Sequence, residues 1–340
     1  MARVYHEIPE SKLALFSKFT FVCGQHYIKF RKFFNAEYKA GFSVRANSFD
    51  NVQGNFPIGF SIWDLNGRQF PKYIDTDVLE YGTVKRYWDD FNKSINHWVR
   101  NFDSPHENNI GLLICESPDL QIIHQPYFTL DAEIRKSRQF FCNKTSLQIA
   151  CIYFAVRLCI EHTWLNDRDQ FLYPNDGYKT NDEFQNDCLI FTLFHGQNRI
   201  SRGNGTNHWI PFTEKEVGAK EKFESNFMSN FLKGLGIREQ GSVESLAVLD
   251  AGRELWKYYH AKIKNNKTAN ACVSKQVNAS FYDIREFFQG RKESGSGNCR
   301  MNTKSADETY NALIKTLRDA HKALAEKIAP KVYEYGFLRE

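Results

Sequence analysis

The chain has no run of apolar residues long enough to cross a bilayer anywhere in its 340 positions. Its longest apolar stretch, Leu147 to Ile160, is shorter than the ~20 residues that a transmembrane helix needs, and it contains Gln148 and Arg157. This stretch is therefore predicted to be a buried helix. Charged residues also interrupt the first dozen positions, which predicts that no signal peptide is present.

Cysteine motifs are missing as well. The eight cysteines form no C-x-x-C pair, which argues against a zinc knuckle or a thioredoxin-like redox site. Cys151 and Cys159 fall within the apolar stretch, where a thiol behaves as a small hydrophobic side chain. A reducing compartment suits such residues, so we expect a cytoplasmic protein. The net charge of +5 is modest, so contacts with nucleic acid would depend on local basic clusters.

The sequence also lacks the patterns that are typical of two kinds of catalytic site. No G-x-S-x-G turn is present, so a serine hydrolase with a nucleophile elbow is not indicated. His195 and His208 are separated by a polar loop, and His260 and His321 have no partner at helical spacing. A zinc site is therefore not indicated either, and we expect these histidines to lie on the surface or to be held by hydrogen bonds.

The most informative residues that are present run from Phe56 to Leu65, FPIGFSIWDL. Their Phe, Ile and Trp side chains favour a strand, and turn-forming residues follow. A second strand is predicted at Leu13 to Thr20, a helix with one aromatic stripe at Cys23 to Phe34, and another strand at Gly41 to Ala46. On these residues alone, a plain core strand explains FPIGFSIWDL equally well.

The order strand, helix, strand, turn, strand resembles the closing part of the catalytic domain in DNA adenine methyltransferases of bacterial restriction-modification systems, of the type I and type IIG kind. Segments downstream are similar to the region that follows this domain in the same proteins. These segments are HTWLNDRDQFLYP (His162 to Pro174), EFQNDCLIFTLFHGQN (Glu183 to Asn198), NHWIPFTEKEV (Asn207 to Val217), AGRELWKYYH (Ala251 to His260) and SFYDIREFFQGR (Ser280 to Arg291). The resemblance implies an α/β fold class with an incomplete methyltransferase-type sheet in residues 1–70. A mixed, mainly α-helical region that binds double-stranded DNA would follow in residues 71–340.

Two motifs of that family are absent from this sequence. The family binds S-adenosylmethionine with a glycine-containing loop after its first strand, and it holds a flipped adenine with an Asn/Asp-Pro-Pro-aromatic motif. This chain has no Pro-Pro pair, and its glycine-rich stretches, Gly203 to Gly205 and Gly295 to Gly297, follow no apolar strand. The resemblance therefore implies no catalytic residue and no cofactor bound by this chain alone, with S-adenosylmethionine only in the intact family enzyme.

A chain that carries only the end of such a domain would need a partner or would have lost its activity. The resemblance implies a separate catalytic methyltransferase half that docks at the edge of the N-terminal sheet, near Leu13 to Leu65. Without the earlier strands, Phe56, Phe60 and Trp63 would need another cover. An inactive remnant or an unrelated scaffold protein is the alternative.

Local clusters of basic and amide residues indicate where DNA would bind. Arginine pairs with guanine and Gln or Asn pairs with adenine in the major groove, whereas lysines contact phosphates. The predicted DNA-binding residues are Gln197, Asn198, Arg199, Arg202, Lys262, Lys264, Arg291 and Lys292. The same residues also fit a solvated surface without a ligand, because lysine-rich faces are often nothing more.

Apolar periodicity and turn residues place the remaining elements. Helices are predicted near Thr145 to His162, Asp182 to His195, Glu214 to Leu232, Val243 to His260, Phe281 to Gln289 and Asp307 to Ile328. Capping boxes are predicted at Thr180, Thr213 and Ser305, and Pro330 is predicted to end the last helix. Strands are predicted at Ile110 to Cys115 and at Gln121 to His124.

A magnesium-dependent nuclease is the rival enzyme class. Asp119 and Glu133, followed by Arg135, loosely imitate the acidic cluster that binds magnesium in many restriction endonucleases, with arginine in place of lysine. Arginine cannot be deprotonated in proteins, so it could stabilise charge there but could not act as a base.

Overall fold

The computed structural model describes residues 1–23, 27–52, 56–67, 69–71, 73–79, 82–87, 94–102, 108–115, 125–131, 139–161, 171–265, 277–293 and 299–338. The strands are β1 (Lys12–Lys18), β2 (Glu37–Arg45), β3 (Pro57–Asp64), β4 (Tyr73–Val78), β5 (Gly82–Tyr87), β6 (Gly111–Ile114), β7 (Tyr127–Thr129), β8 (Gln139–Cys142), β9 (Arg291–Glu293) and β10 (Cys299–Met301). The α-helices are α1 (Ala2–Glu7), α2 (Thr20–Cys23), α3 (Ile28–Phe33), α4 (Ile95–Arg100), α5 (Leu147–Leu158), α6 (Asp182–Phe194), α7 (Glu214–Val217), α8 (Phe227–Gly234), α9 (Ile237–Gln240), α10 (Val243–Asn265), α11 (Phe281–Gln289) and α12 (Glu308–Glu334). Sheets come first and a mostly helical region follows, which confirms the mixed α/β class.

The N-terminal sheet has the strand order β1-β3-β2-β4-β5. Strand β3 runs antiparallel to both β1 and β2, so β1 and β2 are parallel to each other, with α2 and α3 on the connection between them. The elements therefore follow the predicted order of strand, helix, strand, turn and strand. Strands β4 and β5 extend the same sheet past residue 70, where we expected the first domain to end.

Alternation along β3 decides which side chains the sheet buries. Trp63 is fully buried on one face, whereas Phe60, three residues away, lies on the other face and is partly exposed. The Trp63 ring stacks on Phe70 with centroids 5.1 Å apart and meets Phe34 edge-on. Trp63 therefore finds its cover within this chain, from the helical connection and from the segment after β3.

The glycine inside the strand-forming run has a packing reason. A Cβ added at Gly59 would lie 2.1 Å from a ring carbon of Phe19, so the ring can rest on the strand only if residue 59 has no side chain. Phe19 is itself buried beneath the sheet. The Gly59 position thus belongs to the covered face together with Trp63.

The helical region has its own core, which is separate from the hydrophobic cluster of the N-terminal sheet. Helix α5 is central to it, since every side chain from Ala150 to Arg157 is buried. Helix α6 packs against α5, α10 and α12, and α10 packs along α12. The burial of α5 on all sides confirms the prediction of a buried helix and explains why this apolar stretch lacks a polar face.

Two helix caps lie one or two residues from their predicted positions, although α6 begins at Asp182 as predicted. The capping box at Thr213 is present at the start of α7, as predicted. At α6 the cap is Asn181 and not Thr180, and at α12 the cap is Asp307 and not Ser305. In each case a second capping residue lies nearer to the first helical residue, and its side-chain oxygen reaches the free backbone N–H groups.

Pro330 does not end α12, so that prediction is wrong, and the helix continues to Glu334. An internal proline costs about 3 kcal/mol because it removes a backbone donor and crowds the preceding turn. The last turn and the segment after it bury Val332, Phe337 and Leu338. Burial of such side chains contributes roughly 1.5–3 kcal/mol each, which outweighs the cost of the proline.

The single helix predicted from Glu214 to Leu232 is also wrong, because α7 and α8 are separate. Gly218, with φ of 67°, takes the left-handed conformation that closes α7. The carboxylate of Glu214 then accepts a hydrogen bond from the Phe223 N–H at 2.8 Å and holds the intervening loop.

Two helical glycines offer a matched test of packing. A Cβ at Gly252 in α10 would lie 2.3 Å from a ring carbon of the buried Phe194, whereas a Cβ at Gly234 in α8 would meet nothing within 4 Å. We expect Gly252→Ala to lower the free energy of unfolding by about 1–3 kcal/mol through overpacking. Gly234→Ala should raise it by about 0.4–1 kcal/mol, because alanine restricts the unfolded chain. Urea unfolding of both variants measures the two effects, and a stabilised Gly252→Ala variant would contradict this packing.

Candidate functional site

One face of the N-terminal sheet presents mostly apolar side chains in adjacent rows across β1, β3 and β2. In the middle row Phe16, Phe60 and Phe42 lie directly opposite one another, with ring centroids 4.9 Å apart for Phe16 and Phe60 and 5.4 Å apart for Phe42 and Phe60. Phe16 is 53% exposed and Phe42 is 39% exposed. We call this surface the phenylalanine face; its members are Ala14, Ile62, Ala40, Phe16, Phe60, Phe42, Lys18, Ile58 and Val44.

The opposite face of the same strands is covered. Phe21 of α2 packs on Trp63 with ring centroids 5.9 Å apart, and Phe34 closes the same cluster. The sheet therefore has its helices on one side only, among the residues described. A contiguous patch of exposed aromatic side chains on the other side is typical of an interaction surface.

Strand β1 also has an unpaired edge. It stands at the end of the strand order, and within the described ranges no strand pairs with its outer side. Exposed Lys12 and Lys18 stand at its two ends, and the Lys18 ammonium lies 4.0 Å from the ring centroid of Phe56. Such lysines discourage non-specific pairing, yet the backbone groups between them can still accept a further strand.

An acidic groove of about 980 Å³ opens where β2 and β4 diverge. The Tyr38 hydroxyl crosses it and donates to the Asp75 carbonyl at 2.9 Å, and burial raises the pKa of Tyr38 to about 12. Glu37 and Asp77 also line the groove, and Lys39 pairs with Glu37 at 2.8 Å. The acidic lining repels phosphates, so we do not place DNA here.

The segment from Gly203 to Gly205 does not have the geometry of a cofactor loop. It follows Ser201 in a short 3-10 turn, and the Ser201 hydroxyl accepts from the Gly203 N–H at 3.1 Å. The Arg202 N–H donates to the Asp283 carboxylate at 3.1 Å. These backbone donors are already used, and the residues that lead into the turn form no strand. The second stretch, Gly295 to Gly297, lies outside the described residues.

The predicted base-reading residues form a hydrogen-bonded loop after α6. Asn198 is 4% exposed; its amide nitrogen donates to the Thr192 carbonyl at 3.2 Å, and its oxygen accepts from the Ile200 N–H. Asn198 therefore stabilises the turn and has no free edge to offer a base, contrary to the sequence-based expectation. Gln197 and Arg199 are more accessible, and the Arg199 guanidinium donates to the Gln197 side-chain oxygen at 2.7 Å.

Three of the basic residues that were predicted to bind DNA form ion pairs within the chain. Arg202 pairs with Glu224 at 3.1 Å, Lys262 pairs with Asp307 at 3.0 Å, and Arg291 pairs with Glu286. Lys264 at the end of α10 and Lys292 in β9 are exposed, and neither forms an ion pair with another described residue. Lys264 and Lys292 are therefore exposed cations without a described ion-pair partner.

Four basic side chains that the sequence did not bring together share one cavity. His195 follows α6, Arg285 lies on α11, and Arg318 and His321 lie on α12; together they line a cavity of about 270 Å³. His195 and His321 each form a hydrogen bond, as the sequence predicted, and their ring centroids are 5.5 Å apart. No spacing rule could have joined them, because their contact depends on how α6 and α12, which are distant in the chain, pack together.

The structure does not test the nuclease hypothesis, because Asp119, Glu133 and Arg135 lie outside the described residues. In the part of the chain that is described, no group of three His, Cys, Asp or Glu side chains is placed to hold a metal ion. Cys151 and Cys188 are buried, and burial raises the pKa of both thiols. These cysteines therefore act as packing residues and not as nucleophiles.

None of the helices in the described ranges is both long enough and apolar enough to span a membrane. Comparison with known proteins finds no matching family model, no matching curated protein and no matching solved structure. The function must therefore be argued from the surfaces described above.

Proposed function

We propose that this chain is the carboxyl-terminal part of a DNA adenine methyltransferase that binds DNA and completes a catalytic half supplied by a separate chain. The observation that carries the proposal is the phenylalanine face beside the unpaired edge of β1. Both belong to the unit of strand, helix, strand, turn and strand whose sequence resembles the end of such a catalytic domain. A DNA-modifying role belongs in the cytoplasm, where buried thiols such as Cys151 stay reduced.

Docking at this place has a physical basis. The outer edge of β1 offers backbone N–H and C=O groups to a further strand. The sheet of an α/β protein is normally covered on both faces, and here helices cover the face that carries Trp63. A catalytic half that adds strands at β1 would bring its own helices over Phe16 and Phe42. Their burial would stabilise the complex by about 25 cal/mol for each Å² of apolar surface removed from water.

The two halves would have different tasks. In the family that the sequence resembles, the amino nitrogen of an adenine flipped from the duplex attacks the methyl group of S-adenosylmethionine. This chain lacks the Asn/Asp-Pro-Pro-aromatic motif, so we assign it no catalytic step. Its task is to hold double-stranded DNA, with Lys264, Lys292 and Arg199 as exposed cations that can contact phosphates.

The test begins with the reading frame immediately upstream of the first codon. We expect its product to carry a glycine loop and an Asn/Asp-Pro-Pro-aromatic motif and to co-purify with this chain. Co-expression of the two should introduce N6-methyladenine into plasmid DNA, measured by mass spectrometry of the nucleosides, whereas this chain alone should introduce none.

Two results would count against the proposal. An upstream product without these motifs would favour the remnant or scaffold alternatives. A product that methylates DNA equally well without this chain would remove its role in the enzyme.

A further inference from the structure

The cavity between α6, α11 and α12 is lined by two arginines, one half-buried and one exposed. We call it the arginine pocket; its defining residues are His195, Gly196, Phe281, Arg285, Arg318 and His321. Arg285 is held in a fixed position, because its guanidinium donates to the Gly196 carbonyl at 3.1 Å and lies 5.5 Å from the ring centroid of Phe281. Arg318 approaches from α12 and is exposed at the mouth of the pocket.

The two guanidinium groups are not neutralised by any carboxylate in the described part of the chain. Among the described residues, neither Arg285 nor Arg318 forms an ion pair. The neighbouring acids are engaged elsewhere, since Asp283 accepts from Ser201 and Glu286 pairs with Arg291. Burial, reinforced by the positive charge of Arg318, lowers the pKa of Arg285. Arg285 is half-buried beside the exposed Arg318, so an anion between the two like charges would reduce their repulsion.

The two histidines line the pocket with neutral rings. The Nε2–H of His321 donates to the Phe191 carbonyl at 2.9 Å, and burial lowers the pKa of His321 to about 4, so this ring is neutral near pH 7. The Nδ1 of His195 accepts from the Gln197 N–H at 3.0 Å, which places the proton of the neutral ring on Nε2. The charge of the pocket therefore comes from the two arginines.

We propose that the arginine pocket binds a phosphate group between Arg285 and Arg318. Guanidinium groups match the oxygens of phosphate with paired N–H donors, and two of them converging from separate helices suit a tetrahedral anion. The cavity, at about 270 Å³, is smaller than the range usual for whole cofactors and drug-sized ligands, which fits a single small group. Binding of a phosphate in the DNA backbone rests on the proposed function, whereas binding of free phosphate does not.

The test uses the full chain without any catalytic half. Binding of a short fluorescent DNA duplex is followed by anisotropy over a series of salt concentrations, and binding of inorganic phosphate by calorimetry. We expect Arg318→Ala to weaken binding about tenfold, since it removes a charge-assisted contact from an exposed position that the fold does not need. It should also reduce the slope of the logarithm of DNA affinity against the logarithm of salt concentration by about one, because one fewer counterion is released. Arg285→Lys, which keeps the charge but loses the paired donors, should weaken binding too.

Lys322→Ala is the matched control, because it removes the same charge from the same helix at a side chain that is 79% exposed and does not line the pocket. It should change either affinity by less than about twofold. DNA binding that depends on Arg318 would identify the backbone as the source of the phosphate, and binding of inorganic phosphate alone would identify a free anion. The proposal is overturned if wild type binds neither probe, or if Arg318→Ala and Lys322→Ala have equal effects. These measurements do not involve methylation, so they remain decisive even if complementation fails.

Discussion

Replacing both Phe16 and Phe42 by aspartate is expected to reduce methylation by the co-expressed pair of chains at least about 100-fold, because buried aromatic anchors supply most of the affinity of an interface. The two rings flank Phe60 in the middle row of the phenylalanine face. Both rings are partly exposed but also pack on Phe60, so we expect the double variant to lose some thermal stability. Binding is therefore compared at a temperature at which the variant is shown to be folded. Co-purification and the content of N6-methyladenine measure the loss.

Leu79→Asp serves as the control for this pair. Leu79 is 63% exposed and follows β4 in the same sheet, but it lies outside the phenylalanine face. The added charge should therefore leave methylation and co-purification within about twofold of wild type. If Leu79→Asp and the double phenylalanine variant behave alike, the docking surface is not where we place it.

Asp187→Ala is expected to lower the free energy of unfolding by about 3 kcal/mol, since it would leave buried polar partners unpaired. Asp187 is 2% exposed. Its carboxylate accepts from the hydroxyls of Ser242 and Ser245, the latter at 2.7 Å, and lies 3.4 Å from the Lys327 ammonium. Ser245 is fully buried, so its hydroxyl has no water to replace the lost acceptor. This cluster joins α6, the start of α10 and α12.

The measurement is urea unfolding followed by far-ultraviolet circular dichroism, with Glu254→Ala as the control. Glu254 pairs with Lys257 at 2.7 Å on the exposed side of α10, and removing such a surface pair should change stability by less than about 1 kcal/mol. A loss at Asp187 no larger than at Glu254 would show that the buried cluster contributes nothing beyond a surface ion pair.

Local sequence patterns predicted most of the secondary-structure elements correctly. The alternating residues of FPIGFSIWDL became β3, the apolar stretch from Leu147 became α5, and the strand at Ile110 to Cys115 became β6. Helix ends were less predictable, because neighbouring capping residues compete and because tertiary burial after Pro330 outweighs its local cost. The strand predicted from Gln121 to His124 lies outside the described residues.

Candidate binding residues were harder to anticipate than elements. Residue type alone placed Asn198 beside Gln197 and Arg199 as a possible base reader, but the fold turns its amide inward to the Thr192 carbonyl. Composition likewise grouped Lys262 with Lys264, although among the described residues only Lys262 pairs with a carboxylate, that of Asp307. Side-chain partners of this kind come from elements distant in the chain, so residue type could not reveal them.

Alternation and helical periodicity are properties of neighbouring residues, so the sequence alone predicted the first strands along the chain and the burial of α5. Packing between distant segments decided the rest. It covered Trp63 and left Phe16 and Phe42 exposed, and it brought Arg285 of α11 beside Arg318 of α12. The reason is that a local pattern tells which side chains an element buries, whereas the partners they meet depend on how the helices and sheets pack together.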